Sequence, residues 1–108
     1  MTRPISPLIL FLGLAACATS PEHENFKRVM DRQVGKEIDA ADAYPAFYRL
    51  RQINAKQLPN GNTQQQYAAG RDGRCRVNFE VAPVTRAIVR WSFEGSERDC
   101  VIPPRSPA

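Results

Sequence analysis

The sequence predicts an α+β fold, in which two N-terminal helices pack on one face of a three- to four-stranded antiparallel meander closed by one disulfide. Three observations lead to this class. Apolar residues recur at helical spacing in residues 26–34, whereas they alternate with polar ones over residues 75–93. Between these regions, Pro59-Asn60-Gly61-Asn62 has the composition of a hairpin turn.

The first helix is predicted from four apolar residues, Phe26, Val29, Met30 and Val34, with charged residues on the opposite side. Gly35 fits its C-terminal cap. Asp39 is placed to cap a second helix, with Asp42 at the position of a capping-box partner. Pro45 limits this segment or begins a new turn at Ala46. The residues expected to face the core from this segment are Phe47, Leu50 and Ile53.

The strands follow the helices. The Asn60-Gly61 turn, of type I′, should join a strand ending at Leu58 to one spanning residues 63–67. In the last two strands the inward sets are predicted to be Cys75, Val77, Phe79 and Val81, then Ala87, Val89, Trp91 and Phe93. Pairing Phe79 with Val89 and Val77 with Trp91 keeps both sets on one face. That register also places Glu80 near Arg90 on the outer face.

The N-terminus has the organisation of a secretory signal, in which a positive residue, Arg3, precedes a short apolar run over residues 8–16. A membrane-spanning helix needs about 20 apolar residues, and this run is too short. With the resemblance at Cys17 described next, we expect a lipoprotein signal at 1–16, a lipidated cysteine and tether at 17–24, a domain at 25–102 and a disordered tail at 103–108.

Leu14-Ala15-Ala16-Cys17 resembles the bacterial lipobox. The resemblance implies that the Cys17 thiol receives a diacylglycerol, that signal peptidase II cuts between Ala16 and Cys17, and that the new amino group is acylated, for example with palmitate. Similarity to Gram-negative sorting rules implies the periplasmic face of the outer membrane, because Ala18 replaces the aspartate that favours the inner membrane. The alternative is an ordinary signal with an incidental or buried cysteine.

Cys75 and Cys100 form an even pair in a small exported domain, which predicts a disulfide in an oxidising compartment. The chain-entropy model assigns about 3 kcal/mol to a loop of this length. The alternative is a metal site, which needs four ligands. The one histidine, His23, is expected in the flexible tether, far from both cysteines.

Five segments resemble a family of small uncharacterised bacterial lipoproteins: Gln33-Val34-Gly35-Lys36, Leu58-Pro59-Asn60-Gly61, Phe79-Glu80-Val81, Ile88-Val89-Arg90-Trp91 and Phe93-Glu94-Gly95. Ala82 departs from the acidic turn residue of that pattern. The order of helices and strands is also similar to the SmpA/OmlA (BamE-like) outer-membrane lipoproteins. That second likeness is one of fold, and it carries over no binding residue.

The charges limit the classes of partner. Without Arg3, 14 basic side chains remain against 11 acidic ones, a net charge of +3. The densest basic stretch, residues 70–76, is interpreted as a solvated turn, although its arginines could contact phosphate. An exported chain rarely meets nucleic acid, so we expect no such partner and instead expect an envelope protein.

No set of residues suggests catalysis. A histidine in a tether cannot serve Ser92 or Ser96 as a base, and the acids Glu37, Asp39 and Asp42 are interpreted as structural. Trp91 is expected in the core. We expect no catalytic residue, no metal and no cofactor besides the covalent lipid on Cys17. The predicted function is a non-enzymatic interaction or scaffolding module; the alternative is an inhibitor or exclusion lipoprotein that blocks an envelope hydrolase or phage entry.

Overall fold

A computed structural model describes residues 20–104 of the chain. Its helices are α1 (Pro21–Gln33) and the single turn α2 (Tyr44–Phe47), and a 3₁₀ turn covers Arg71–Gly73. Its strands are β1 (Arg51–Gln57), β2 (Thr63–Ala69), β3 (Cys75–Val81) and β4 (Ile88–Glu94). All neighbouring strands pair antiparallel in the order β1-β2-β3-β4. The predicted α+β class and the antiparallel meander are confirmed, with four strands.

Helix α1 begins earlier than expected. Ser20 caps it, because its Oγ accepts a hydrogen bond from the His23 N–H at 3.1 Å, and Pro21 occupies the first turn. Residues 21–24, predicted to be tether, are therefore helical. At the other end Gly35 has a φ of +96°, a conformation that glycine adopts without strain, and it follows the helix as predicted.

The apolar side of α1 packs on β3 and β4. Phe26, Val29 and Met30 are all fully buried, as predicted. The Phe26 ring meets the rings of Trp91 and Phe93 edge-on, at centroid distances of 5.9 and 5.8 Å. Val34, also predicted to face the core, is 48% exposed because the helix has ended at Gln33.

The predicted second helix is wrong in extent. Residues 36–43 form turns that lie along the start of β4, where the Ile88 N–H donates to the Lys36 carbonyl at 2.8 Å. Asp39 bonds to a side chain on the β3–β4 connection and caps no helix. Only one helical turn, α2, follows, and it buries Tyr44 while leaving Phe47, predicted to face the core, 46% exposed. Long-range backbone bonds therefore override the local capping signal in this segment.

The β1–β2 hairpin lies where the sequence predicts it, but its turn differs. Of the Asn60-Gly61 pair, only Gly61 has a positive φ, at +93°. A type I′ turn needs a positive φ at both residues. The loop instead spans three residues, closed by hydrogen bonds from the Gly61 N–H to the Leu58 carbonyl (3.0 Å) and from the Leu58 N–H to the Asn62 carbonyl (2.8 Å).

The predicted register of β3 and β4 is wrong by two residues. Phe79 pairs with Trp91, and Val77 pairs with Phe93. The neighbouring placement of Glu80 and Arg90 is confirmed. Two differences of one residue each cause the shift. The connection between the strands, residues 82–87, is one residue longer than the predicted register requires. A bulge adds the other residue: Val89 has no partner in β3, so Ile88 turns inward and is 1% exposed, whereas Val89 is 36% exposed. Strict alternation would have placed Val89 inward and Ile88 outward.

Candidate functional site

The predicted cysteine pair is bonded, and the contacts described in this and the next three paragraphs surround the disulfide. Cys75 begins β3 and Cys100 lies in the C-terminal segment; the two form a disulfide with a Cα–Cα distance of 5.0 Å. Both residues are completely buried. The predicted processing and lipidation residues, Ala16 and Cys17, lie outside the described residues.

Glycine is required beside this disulfide. Gly70 has a φ of +72°, and a Cβ at that position would collide with the Asp99 carbonyl oxygen and lie 2.8 Å from the Cys75 Cβ. The same backbone approach lets the Arg71 N–H donate to the Asp99 carbonyl at 2.9 Å. The segment that carries Cys100 is thereby held against the turn before β3, which is the return of the chain that the disulfide prediction required.

His23 lies in helix α1 and is buried, and not in a flexible tether as predicted. It is 1% exposed, and its Nδ1 lies 2.8 Å from the Cys100 carbonyl oxygen. Its ring stacks on Phe26 and meets Phe93 edge-on. The signal was available, because serine, proline and glutamate at positions 20–22 are typical of the start of a helix.

The C-terminal segment is bound to the first turns of α1. The Ile102 N–H donates to the Glu22 carbonyl at 3.1 Å, and the Asn25 amide donates to the carbonyls of Ile102 (3.2 Å) and Pro103 (3.1 Å). Ile102 itself is 3% exposed. We call this region the cystine corner; it comprises His23, Asn25, Cys75, Cys100 and Ile102.

A shallow groove of about 380 Å³ borders the cystine corner. Its size lies within the usual range for small-molecule sites. Burial raises the pKa of Tyr44, one of its lining residues, well above the ordinary value for tyrosine. The lining residues are Glu22, Tyr44, Tyr48, Leu50, Gly70, Arg71, Val101, Ile102 and Pro103.

The outer face of the sheet carries a row of hydrogen-bonded polar side chains. The Gln66 amide donates to Asn78 Oδ1 at 2.8 Å, and the Asn78 amide donates to Ser92 Oγ at 3.2 Å and to Glu94 Oε2 at 3.1 Å. Asn78 is 5% exposed although it points away from the core. These groups satisfy one another across three strands, and they hold the sheet face in a fixed polar pattern.

A second polar cluster surrounds Glu80. The amides of Asn60 (3.0 Å) and Asn62 (2.7 Å) donate to Glu80 Oε2, and Arg90 Nε lies 3.2 Å from its Oε1. These hydrogen bonds, and secondarily the Arg90 charge, lower the pKa of Glu80. These contacts connect the β1–β2 turn to strands β3 and β4, so the residues have a structural role.

Asp39 forms an ion pair with the β3–β4 connection, and it does not cap a helix as predicted. Arg86 holds it with two parallel bonds, from Nε to Oδ2 (2.9 Å) and from Nη2 to Oδ1 (3.2 Å). This bonding lowers the pKa of Asp39. Asp42 contacts the Lys36 ammonium at 3.4 Å.

Specific side-chain contacts are also formed by Ser92, Ser96 and Trp91. Ser92 Oγ accepts from Asn78, and Ser96 Oγ bonds to Asp99 Oδ2 at 3.2 Å. Trp91 packs against the core while its indole N–H donates to Asp31 Oδ1 at 2.9 Å.

Residues 20–104 contain no group of three or more His, Cys, Asp or Glu side chains placed to hold a metal ion. In the same range, no helix has both the length and the apolar character needed to cross a bilayer.

The strand β1 forms an open edge of the sheet. Every residue of β1 except Ile53 is exposed. The Ala55 N–H donates to the neighbouring side chain, Asn54 Oδ1, at 2.9 Å. The exposed side chains of this strand include two cations, Arg51 and Lys56. An edge of this kind offers backbone donors and acceptors to another strand.

No protein-family model, curated protein or solved structure matches this chain.

Proposed function

We propose that this chain is a lipid-anchored interaction or scaffolding module on the periplasmic face of the outer membrane, and that it is not an enzyme. The observation that carries the proposal is the open β1 edge, seven residues long and exposed at all but one of them. The resemblance to small bacterial lipoproteins, and to BamE-like proteins in fold, belongs to the same proposal.

The distance between anchor and domain supports a role at the membrane surface. Ser20, the cap of α1, follows Cys17 by three residues. Three residues span at most about 11 Å when fully extended. A lipid on Cys17 would therefore hold the cystine corner close to the headgroups, while the rest of the sheet extends from there. Because so short a connection limits the reach of the domain, it favours binding to a neighbouring protein over binding to a distant one.

The edge supports scaffolding because strand addition is a common mode of protein recognition. Backbone hydrogen bonds supply affinity, and the side chains that flank them supply specificity. The opposite edge, β4, is partly occupied, since the Gly35 N–H donates to the Ile88 carbonyl at 2.8 Å and the Ile88 N–H donates to Lys36. Between the two edges, β1 is the more accessible to a partner.

A second candidate, an inhibitor or exclusion lipoprotein, is favoured by a different feature. All three residues of the turn Arg71–Gly73 are exposed, and only Arg74 separates this turn from the buried Cys75. Its backbone conformation is unusual, with positive φ at Asp72 (56°) and Gly73 (69°). A rigid loop beside a disulfide is suited to entering a cleft of another protein.

Site-specific photo-crosslinking in intact cells separates the two candidates. A photoreactive residue placed at Gln57 should give discrete adducts if β1 is the binding edge, whereas adducts from Asp72 alone would favour the inhibitor. Arg28, exposed on α1, is the matched control position. Absence of adducts from all three positions in membrane-bound protein would overturn the interaction proposal.

The anchor has its own test. Cys17→Ser should abolish labelling with radioactive palmitate and leave the precursor uncleaved. An inhibitor of signal peptidase II should likewise block processing of the wild-type chain. Normal processing in its presence would show that Cys17 is not lipidated by this route.

A further inference from the structure

We propose that β1 binds an extended acidic segment of a partner protein, which adds to the sheet as a fifth strand with acidic side chains four residues apart on one face. This inference rests on the interaction function proposed above and assigns it a partner chemistry. It follows from three independent properties of β1: its charge, its bulge and the direction of those N–H groups that point away from β2.

The segment that contains β1 has a net charge of +3, which no acidic residue within it offsets. Residues 43–70 contain three basic side chains, Arg49, Arg51 and Lys56, and no acidic one. Within the described residues none of these three forms an ion pair. Elsewhere basic and acidic residues are interspersed, and many of them pair. An acidic ligand would therefore find uncompensated charge here.

The bulge in β1 sets the spacing of that charge. Arg51 lies opposite Ala68, and Lys56 lies opposite Gln64, with a register shift between Gln52 and Asn54. Without the shift, residues five apart would point to opposite faces of the strand. The extra residue brings Arg51 and Lys56 to the same face, opposite residues that are four apart along β2. Acidic side chains four residues apart on an added strand would match that spacing.

The backbone of β1 is also prepared for an added strand. The Leu58 N–H donates to Asn62, so this pair is hydrogen-bonded, and bonded and non-bonded pairs alternate along an antiparallel ladder. Counting from Leu58, the N–H groups of Gln57 and Ala55 therefore point away from β2. Asn54 Oδ1 accepts from the Ala55 N–H at 2.9 Å, which satisfies that donor while no strand is present.

Self-pairing of β1 is disfavoured by the same residues. Two copies of a strand that carries Arg51 and Lys56, flanked by Arg49, would bring only cations together, and positive side chains on edge strands prevent such association. The favoured occupant is a segment of opposite charge from a different protein.

The test uses the full-length chain purified from membranes in detergent, with backbone amides followed by ¹H–¹⁵N NMR. The probe is the peptide Thr-Glu-Val-Thr-Val-Glu-Thr, whose glutamates are four residues apart and share one face when extended. Its matched control, Thr-Glu-Val-Thr-Glu-Val-Thr, has the same composition with glutamates on opposite faces. We expect the first peptide to shift the Ala55 and Gln57 amides, and the second to bind at least several-fold more weakly.

Three variants locate the contact. Ala55→Pro removes an outward N–H without removing a bond to β2, so the fold should persist while binding is lost. Arg51→Glu combined with Lys56→Glu should weaken binding by about tenfold or more, since it replaces two attractive cross-strand pairs with repulsive ones. The same variant should bind a peptide with lysine in place of glutamate. Arg28→Glu reverses a single exposed charge on α1 and should leave binding unchanged.

Several results would overturn the proposal. These are equal binding of the two glutamate peptides, equal weakening by Arg28→Glu, or association of the chain with itself through β1. Another is a shift of the Ala55 and Gln57 amides by phosphatidylglycerol vesicles but not by the acidic peptide. None of these results bears on crosslinking at Gln57 or Asp72 in cells, so the assignment of this partner fails separately from the interaction function.

Discussion

The two halves of the sheet differ in what holds them. Strands β3 and β4 lie under α1, and they share a core with the disulfide in which Phe26, Val77 and Phe79 are fully buried. Of the β1–β2 hairpin, β2 still contributes Tyr67 and Ala69 to this core, whereas β1 contributes only the partly buried Ile53 to the interior. Stability therefore depends mainly on β3 and β4, whereas the proposed interaction depends on β1. A substitution should thus affect one property without the other.

The largest effect should come from the best-buried aromatic residue of β3. Phe79→Ala removes a ring that is 0% exposed, and the loss of free energy of unfolding should be about 3–5 kcal/mol. The matched control is Phe47→Ala, which truncates a phenylalanine that is 46% exposed and should cost less than half as much. Urea unfolding followed by Trp91 fluorescence measures both. Similar losses for the two variants would contradict the proposed division.

The disulfide should come next. Replacing Cys75 and Cys100 together with alanine should lower the free energy of unfolding by about 2–5 kcal/mol, because the unfolded chain regains the entropy of the closed loop. Calorimetry should show a lower Tm, and limited proteolysis should cut first in the C-terminal segment. Mass spectrometry without reductant gives a direct check: two free thiols in protein from an oxidising compartment would contradict the bond.

His23→Phe isolates one hydrogen bond of the cystine corner. The substituted ring keeps its place between Phe26 and Phe93, but the buried Cys100 carbonyl loses its partner, at a cost of about 1–3 kcal/mol. Hydrogen exchange should become faster at the Ile102 amide and stay unchanged in β1. Uniformly faster exchange across the sheet would instead indicate that both halves open as one unit.

The Asp39–Arg86 pair should show a small pH dependence. Bonding to Arg86 lowers the pKa of Asp39 from its ordinary value of 3.8, so its stabilisation is complete above that pH and disappears as the pH falls through the lowered value. Because both side chains are exposed, Asp39→Asn should cost under about 1 kcal/mol at neutral pH. The two proteins should converge in stability in acid; a difference that grows there would have the wrong sign.

The smallest effect should be at the open edge. Lys56→Gln changes an exposed side chain that forms no ion pair within the described residues, so the free energy of unfolding should stay within about 0.5 kcal/mol of wild type. Thermal unfolding at low salt is the most sensitive check. A clear loss of stability would show that Lys56 contributes to the fold. Its charge would then be no evidence for an acidic partner.

Local patterns were sufficient for much of the fold. Alternation predicts β3 and β4, Gly35 predicts the end of α1, and an even cysteine pair predicts the disulfide. The wrong register arose because the β3–β4 connection is one residue longer than predicted and a bulge at Val89 adds a second residue, and no change in composition indicates either one. Residues 36–43 differ from the prediction because their bonding partners lie some fifty positions along the chain.

The candidate site was less accessible to sequence analysis. The absence of acids in residues 43–70 is visible in the sequence, but only the strand order shows that Arg51 and Lys56 lie on an open edge. His23 could have been placed in the helix from the Ser20-Pro21 start. Its contact with the Cys100 carbonyl depends on how the chain returns after Gly95, which no local pattern encodes.

The hydrogen bonds between residues 22–25 and 102–103 bring the beginning and the end of the folded region together. The domain is therefore closed on itself, and a short linker could join its ends while a new start is opened in the Pro59-Asn60-Gly61 turn. Chains whose ends meet in this way tolerate circular permutation and insertion into other proteins. The same fold could thus be displayed from a host protein with its β1 edge facing outward.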